Sequence, residues 1–169
     1  MWIDSTYFTG EYLIQNVLGT NPIVTINDAL LTKFITKYEP EYLKLLLGET
    51  LYDELIAGLA VTPTPAAKWI ALKAKLIDTV NKNSPIEAYI WNRYWLSEET
   101  KTTTMGQVVS KVENGYIVSS NQRLVSSWND AMMQGVEFLR WLTLSDQVDT
   151  YPNQDPDYDH IYLTNNFGI

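Results

Sequence analysis

Apolar residues recur every three to four positions along most of the chain, the spacing that places them on one side of an α-helix. This pattern predicts about five helices, which lie within residues 26–47, 49–59, 66–80, 84–96 and 121–146. Pro40 is expected to break or kink the first of them, because proline removes a backbone donor and crowds the preceding turn. The fold class is therefore predicted to be mainly α, a helical bundle.

The first helix has a predicted start and a predicted core face. Thr25 can cap a helix that begins around Ile26. From there an apolar stripe follows at every fourth position, consisting of Ile26, Leu30, Phe34 and Tyr38, with Ile35 beside them. This stripe is expected to face the core.

Two later helices carry sharper local signals. Ser84-Pro85-Ile86-Glu87 combines an N-cap serine, a proline at the first helical position and a glutamate at the third, which is the pattern of a capping box. The helix that it opens is apolar nearly all round and is expected to be central in the bundle. In the long last helix, Gly135 is expected to permit a close helix crossing.

A β-hairpin is predicted within residues 101–120, inserted before the last long helix. Two runs rich in β-branched residues, Gln107–Val112 and Tyr116–Ser119, flank Asn114-Gly115, a pair typical of type I′ hairpin turns. The preceding Thr102-Thr103-Thr104-Met105-Gly106 suits an exposed strand that adds to the sheet edge of a neighbour. A strand held by its own bundle explains the threonines equally well.

The two ends of the chain lack a clear helical pattern. Gly10, Gly19 and Pro22 interrupt residues 1–24, which are expected to form a partly extended arm that packs aromatic side chains on the body or on a neighbour. Residues 150–169 are rich in Asp, Asn, Tyr and Pro and are predicted to form an extended C-terminal tail, ordered only where something holds it. Residues 1–149 then form one bundle domain that includes the hairpin.

Composition limits the classes of function. The chain has 169 residues, 46% of them hydrophobic and 19% charged, as expected for one globular domain. Its net charge of −8 argues against tight binding to a phosphate backbone, although DNA can still pass along an acidic wall. Cysteine is absent, which excludes disulfides and cysteine zinc sites. With neither a secretory signal nor a long apolar run, a soluble intracellular product is expected.

No catalytic, cofactor or metal site is predicted. The single histidine, His160, lies in the tail, where a preorganised triad or metal site is not expected. The sequence from Asp155 to Asp159 imitates the start of a calcium loop, but His160 replaces the required glycine and Asn166 the required glutamate. The chain is therefore predicted not to be an enzyme and to need no cofactor.

Other polar and aromatic groups have simple structural explanations. The carboxylates of Glu49, Asp53 and Glu54 fit the solvated face of a helix, because nothing in their spacing requires a facing pair across a cleft. A group of aromatic residues in the fourth helix could stack on nucleobases. It contains Tyr89, Trp91, Tyr94 and Trp95. With Arg93 as its one cation in that helix, packing in the core or at a subunit seam is favoured.

Three stretches in order carry a resemblance to a known family. They are the run FITKYEPEYLKLLLGETLYDEL at residues 34–55, the run AYIWNRYWL at 88–96 followed by the threonine-rich segment at Gly106, and Trp128-Asn129 at the start of a long helix. Over residues 26–145 the chain resembles the head–tail connector, or neck adaptor, proteins of tailed bacteriophages and prophages.

The resemblance implies a structural virion protein without catalytic residues. Such proteins form a ring of about twelve subunits below the portal, contact the portal and adjacent neck or tail proteins, and let genomic DNA pass through the lumen without specific binding. The location implied is the neck of the virion, after assembly in the host cytoplasm and without a membrane. By analogy, the interface residues are Thr102, Thr103, Thr104, Gly106, Asn114, Gly115, Tyr116, Asp157, Tyr158, Tyr162 and Phe167.

Three alternatives stay open. A stopper or tail-completion protein of the same neck would have the same general pattern. A helical ligand-binding or regulatory module would use a pocket around Trp91, Trp95 and Trp128. An enzyme would have to rely on carboxylate chemistry alone, because cysteine is absent and histidine occurs once.

Overall fold

The computed structural model describes residues 1–103, 106–109 and 120–164. Within them lie six α-helices: α1 Pro22–Leu47, α2 Glu49–Leu59, α3 Ala67–Leu76, α4 Pro85–Glu99, α5 Ser120–Leu142 and α6 Ser145–Thr150. Two short 3₁₀ turns, Ser5–Tyr7 and Gly10–Tyr12, precede α1, and the strands β1 Thr100–Thr103 and β2 Gly106–Val109 follow α4. The mainly α bundle is confirmed. None of the helices described is long and apolar enough to cross a membrane.

Helix α4 lies at the centre of the bundle and packs against both α1 and α5. Ile86, Tyr89 and Ile90 are buried, as expected for a helix that is apolar on most sides. Its start is the predicted cap, because Ser84 Oγ accepts a hydrogen bond from the amide of Ile86 at 3.2 Å. A local capping signal therefore places the central helix.

Helix α1 is longer than predicted at its start and is not broken inside. It begins at Pro22, where Asn21 Oδ1 accepts a hydrogen bond from Val24 N at 2.9 Å. The predicted start at Ile26 is wrong, because asparagine is a stronger cap than Thr25 and proline is favourable at the first helical position. The helix also continues through Pro40. Burial of side chains on both sides of this proline holds the helix together.

The core face of α1 agrees only in part with the predicted stripe. Ile35 of that stripe is fully buried, as are Leu31 and Leu46, whereas Ile26 is 69% exposed. Phe34 is only partly buried and packs edge-on against Tyr94 of α4, with ring centroids 5.3 Å apart. The helix is apolar on two adjacent faces, and tertiary packing covers one of them more completely than the other.

At Gly135, where a close helix crossing was predicted, the ends of two α1 side chains pack against the backbone of α5. A Cβ atom at Gly135 would lie 2.9 Å from Tyr42 Oη and 3.0 Å from Leu46 Cδ2. The hydroxyl of Tyr42 donates a hydrogen bond to the carbonyl of Ala131, and burial raises the pKa of this tyrosine. The small residue therefore makes room for a buried phenol that joins the two helices.

The N-terminal residues belong to the core of the bundle. Ile3, Tyr7 and Phe8 are buried, and Glu39 of α1 fixes the backbone before them. Its Oε2 accepts hydrogen bonds from Trp2 N at 2.7 Å and from Ile3 N at 3.2 Å. The N-terminal arm was predicted to pack either on its own bundle or on a neighbouring copy. In the structure it packs on its own bundle.

The strands form a small antiparallel pair beside the bundle. Thr102 lies opposite Gln107, and Thr103 opposite Gly106. The predicted hairpin instead pairs Gln107–Val112 with Tyr116–Ser119 around Asn114-Gly115. That turn and its second strand lie outside the described residues, so the predicted hairpin is not confirmed.

Glu87, at the third position of α4, is a buried carboxyl group. Burial raises its pKa to about 8, although its interaction with the backbone amide of Ser84 acts in the opposite direction. In the unfolded chain the pKa is near the ordinary 4.5. The folded state therefore binds the proton more tightly than the unfolded state between these two values.

From this difference we expect stability to fall as the pH rises from about 4.5 to about 8, by up to about 1.4 kcal/mol for each pH unit. Glu87→Gln keeps the shape and the acceptor of the capping box and should remove this decline. Urea unfolding at pH 5 and pH 8 measures both chains. Glu137→Gln, which changes an exposed carboxyl group on α5, is the matched control and should behave like the wild type. An equal decline in Glu87→Gln would contradict the assignment.

Candidate functional site: a groove bordered by the C-terminal segment

The C-terminal segment, residues 151–164, folds back on the bundle without regular secondary structure. It begins at Tyr151, which is buried between the rings of Trp69 and Trp141, with centroid distances of 6.0 and 6.2 Å. The hydroxyl of Tyr151 donates to the carbonyl of Lys68 at 2.6 Å. The start of the segment is therefore an anchored part of the core.

The segment next caps the C-terminal end of α1. The backbone amide of Asp155 donates to the carbonyl of Leu47 at 3.0 Å, and that of Asp157 donates to Leu45 at 2.9 Å. Carbonyls in the last turn of a helix have no partner within the helix. Two of these groups thus receive their hydrogen bonds from residues more than a hundred positions later in the chain.

Gly48 is the point where the segment crosses the joint between α1 and α2. Its φ is +79° and its ψ is 163°, a combination that is almost restricted to glycine. A Cβ atom there would lie 2.6 Å from the carbonyl oxygen of Asp155. Glycine therefore serves both the sharp turn between the helices and the close approach of the segment.

A second anchor holds the far end of the segment on α5. Trp128 Nε1 donates to the carbonyl of Tyr162 at 2.8 Å. Asn129 donates through Nδ2 to the carbonyl of Thr164 at 2.8 Å and accepts through Oδ1 from Thr164 N at 2.8 Å. The segment is thus fixed at both ends, at its start between α3 and the end of α5 and at its far end on the first half of α5.

A groove of about 760 Å³ lies between this segment and helices α1, α4 and α5. Its lining is mixed in charge and includes Glu41, Lys44, Arg93, Trp128, Asp157 and His160. A volume of this size can accommodate a small molecule. Its chemistry depends on whether these charged groups are available to a ligand.

Arg93 is already engaged by the protein. Its guanidinium donates to Tyr89 Oη at 2.8 Å and lies 3.4 Å from Glu41 Oε1. It also covers the rings of Tyr89 and Trp128, at 4.9 and 5.5 Å from their centroids. Tyr89 in turn donates to Glu41 at 2.6 Å, and burial raises its pKa to about 12. This cluster stabilises the contact of α1 with α4.

His160 is paired with Asp157 at the rim of the groove. The distance from Nδ1 to Oδ2 is 2.7 Å, and the hydrogen bond raises the pKa of the histidine and lowers that of the aspartic acid. Both side chains are exposed, so the pair lacks the buried, oriented surroundings of a catalytic histidine. In the described part of the chain no group of His, Asp and Glu residues is arranged to hold a metal ion.

The predicted interface residues fall into three sets. Asp157 and Tyr162 contact their own bundle, the first through its backbone amide and the second through its carbonyl and its ring on Trp128, while Tyr158 stays exposed. Thr102, Thr103 and Gly106 lie in the paired strands. Thr104, Asn114, Gly115, Tyr116 and Phe167 lie outside the described residues.

The three tryptophans of the predicted ligand pocket do not line one cavity. Trp128 lines the groove, Trp91 lines a smaller cavity with Tyr12 and Arg123, and Trp95 packs on Trp91 at a centroid distance of 5.9 Å. The contact of Gly48 with Asp155 had no signal in the sequence, because backbone groups of any residue can make it.

Comparison of the chain with protein-family models, curated sequences and solved structures finds no match. Within the groove, Arg93, Tyr89 and Glu41 contact one another and Asp157 pairs with His160. The Nε atom of Arg93 is buried and has no hydrogen-bond partner among the described residues.

If the crossing at Gly48 holds the segment, Gly48→Ala should lower the free energy of unfolding by about 2–4 kcal/mol, since it adds both backbone strain and a clash with Asp155. Gly10→Ala is the matched control. Gly10 also has a positive φ, +57°, but nothing lies within 4 Å of an added Cβ, so about 1 kcal/mol is expected. Urea unfolding of the two variants gives the comparison. Equal losses would show that the segment does not press on Gly48.

Proposed function

We propose that this chain is a structural virion protein of a tailed bacteriophage, a head–tail connector that forms a ring between the portal and the tail, with DNA passing through the lumen. The observation that carries the proposal is the order of parts. Residues 34–55 span the end of α1 and most of α2, residues 88–96 lie in α4, a strand begins at Gly106, and α5 contains Trp128-Asn129. This order supports the resemblance to neck adaptors.

The surface of the bundle supports an assembly role. Large apolar side chains stand exposed on several helices, among them Ile26 on α1, Ile70 on α3 and Met133 on α5. When a partner covers exposed apolar side chains, their removal from water favours binding. By contrast, several polar groups of the groove are bonded to one another, namely Arg93 to Tyr89, Tyr89 to Glu41, and His160 to Asp157. Binding between polypeptides therefore explains the surface better than chemistry in the groove.

The charge balance is compatible with a DNA conduit. The chain carries 20 acidic and 12 basic residues. A ring built from such subunits repels the duplex on average, so DNA can slide without being held. The partners proposed are further copies of the chain, the portal protein, and the adjacent neck or tail proteins.

One observation favours a second candidate, a helical ligand-binding module. The groove has the volume of a small-molecule site and an aromatic wall at Trp128. Its cation Arg93, however, is already bonded to Tyr89 and Glu41. A ligand would have to displace these contacts, which makes this candidate the weaker of the two.

Purified particles of the phage or prophage that encodes the chain provide the test. Mass spectrometry should detect the chain in the virion, and cryo-electron microscopy should locate it as a ring at the junction of head and tail. Loss of the gene should leave filled heads and free tails that do not join. Absence of the chain from particles, or normal joining without it, would contradict the proposal.

A further inference from the structure

The helices α2 and α3 carry opposite charges on their outward faces, which are largely exposed in the described part of the chain. Helix α3 has three lysines and no acidic residue, whereas α2 has three acidic residues and no basic one. We infer that the α3 face of one copy binds the α2 face of a second copy, head to tail. This inference rests on the proposed ring and names the contact that builds it.

The outward face of α3 is a smooth apolar strip bordered by positive charge. Its members follow the i, i+3, i+4, i+7 spacing of one helix face, and all are exposed: Ala67, Ile70, Ala71 and Ala74. Alanines let a second helix approach closely. Ile70, which is 48% exposed, supplies apolar area. Packing of such an apolar strip against another helix is more favourable than its exposure to water.

The lysines beside this strip have aromatic contacts but no carboxylate partner. Lys68 lies over the ring of Trp69 at 4.3 Å, Lys73 over Trp2 at 5.4 Å and Lys75 over Trp141 at 5.6 Å. None of the ion pairs within the described residues involves them. The chain has eight more acidic than basic residues. The local positive surface on α3 therefore complements an acidic surface on another copy.

The outward face of α2 offers the complementary pattern. Glu49, Asp53, Ile56 and Ala57 follow the spacing of one helix face and are exposed. Asp53 has no ion pair or hydrogen bond in the described part of the chain, and Glu49 is paired only with the exposed Lys44 at 2.8 Å. Ile56 can pack on the alanine strip while the carboxylates face the lysines. Both apolar and electrostatic terms then favour the contact.

The contact between α2 and α3 inside one subunit explains why the arrangement runs head to tail. They pack through Gly58 and Trp69, where an added Cβ on the glycine would lie 2.1 Å from the indole. Gly58 lies on the side of α2 opposite Glu49 and Asp53, and Trp69 lies away from the alanine strip of α3. The two outward faces therefore lie on opposite sides of the pair. A copy can bind one neighbour on each side, and such a series closes into a ring when the rotation permits.

Charge reversal in two complementary variants tests the contact. Variant A carries Lys68→Glu and Lys75→Glu, and variant B carries Glu49→Lys and Asp53→Lys. In either variant alone, like charges would face each other between copies. In a mixture, the acidic α3 of A meets the basic α2 of B, and the basic α3 of B meets the acidic α2 of A. Only the predicted pairing gives a mixture in which both junctions are restored.

Sedimentation velocity and mass photometry at low salt measure the association. We expect the wild type to associate beyond two copies, each variant alone to lose at least about tenfold in association constant, and the equimolar mixture to recover it. Thermal melts confirm that both variants are folded. Lys33→Glu with Lys37→Glu makes the same charge change on exposed positions of α1 and should leave association nearly unchanged.

Several results would overturn the inference. The first is a wild type that stays monomeric at about 1 mM, where even weak contacts are populated. The second is association that stops at two copies. The others are variants that associate like the wild type, a mixture that does not recover association, and an equal loss of association in the α1 control. None of these results tests the proposed location of the chain in the neck of a virion. The proposed function fails separately, if virions lack the chain while solution association follows the charge pattern.

Discussion

Two hydrogen bonds between the last turn of α1 and the C-terminal segment join parts of the chain that lie more than a hundred residues apart. Asp155 and Asp157 donate backbone hydrogen bonds to Leu47 and Leu45, and Gly48 gives the segment the space to cross. Without these donors, carbonyls in the final turn of the longest helix described would depend on water. The same segment borders the groove and begins at the buried Tyr151.

Both terminal regions of the described chain form hydrogen bonds within the subunit. The C-terminal segment bonds to α1 and α5, and the N-terminal backbone donates to the carboxylate of Glu39. Both ends are therefore used in the described fold, so they are not the first candidates for contact with neighbours. Among the described residues, the outward faces of α2 and α3 are largely exposed and carry opposite charges. Complementary faces of this kind would suit the proposed assembly into a ring.

Features set by short-range chemistry could be predicted from the sequence. The mainly helical fold and the cap at Ser84 depend on residue type and spacing, and these predictions agree with the structure. The start of α1 could not be fixed, because Asn21 and Thr25 are both good caps. Its core face was predicted only in part, since two adjacent faces of the helix are apolar and only packing selects between them.

The candidate site was largely out of reach of sequence reasoning. Asp157 and Tyr162, which were predicted as interface residues, contact their own subunit through backbone groups. Their contact with other chains stays a prediction. Backbone donors such as those of Asp155 carry no signal in side-chain chemistry. The cluster of Arg93, Tyr89 and Glu41 joins residues up to 52 positions apart, and no local pattern predicts such a pairing.

Amide hydrogen exchange at Asp155 and Asp157, followed in the isolated chain by NMR, tests the crossing most directly. If these amides donate to Leu47 and Leu45, their exchange should be at least about a hundredfold slower than in a peptide of residues 151–164, because opening of the contact must precede exchange. Exchange at the rate of the free peptide would contradict the account, since the C-terminal segment would then not be part of the folded subunit.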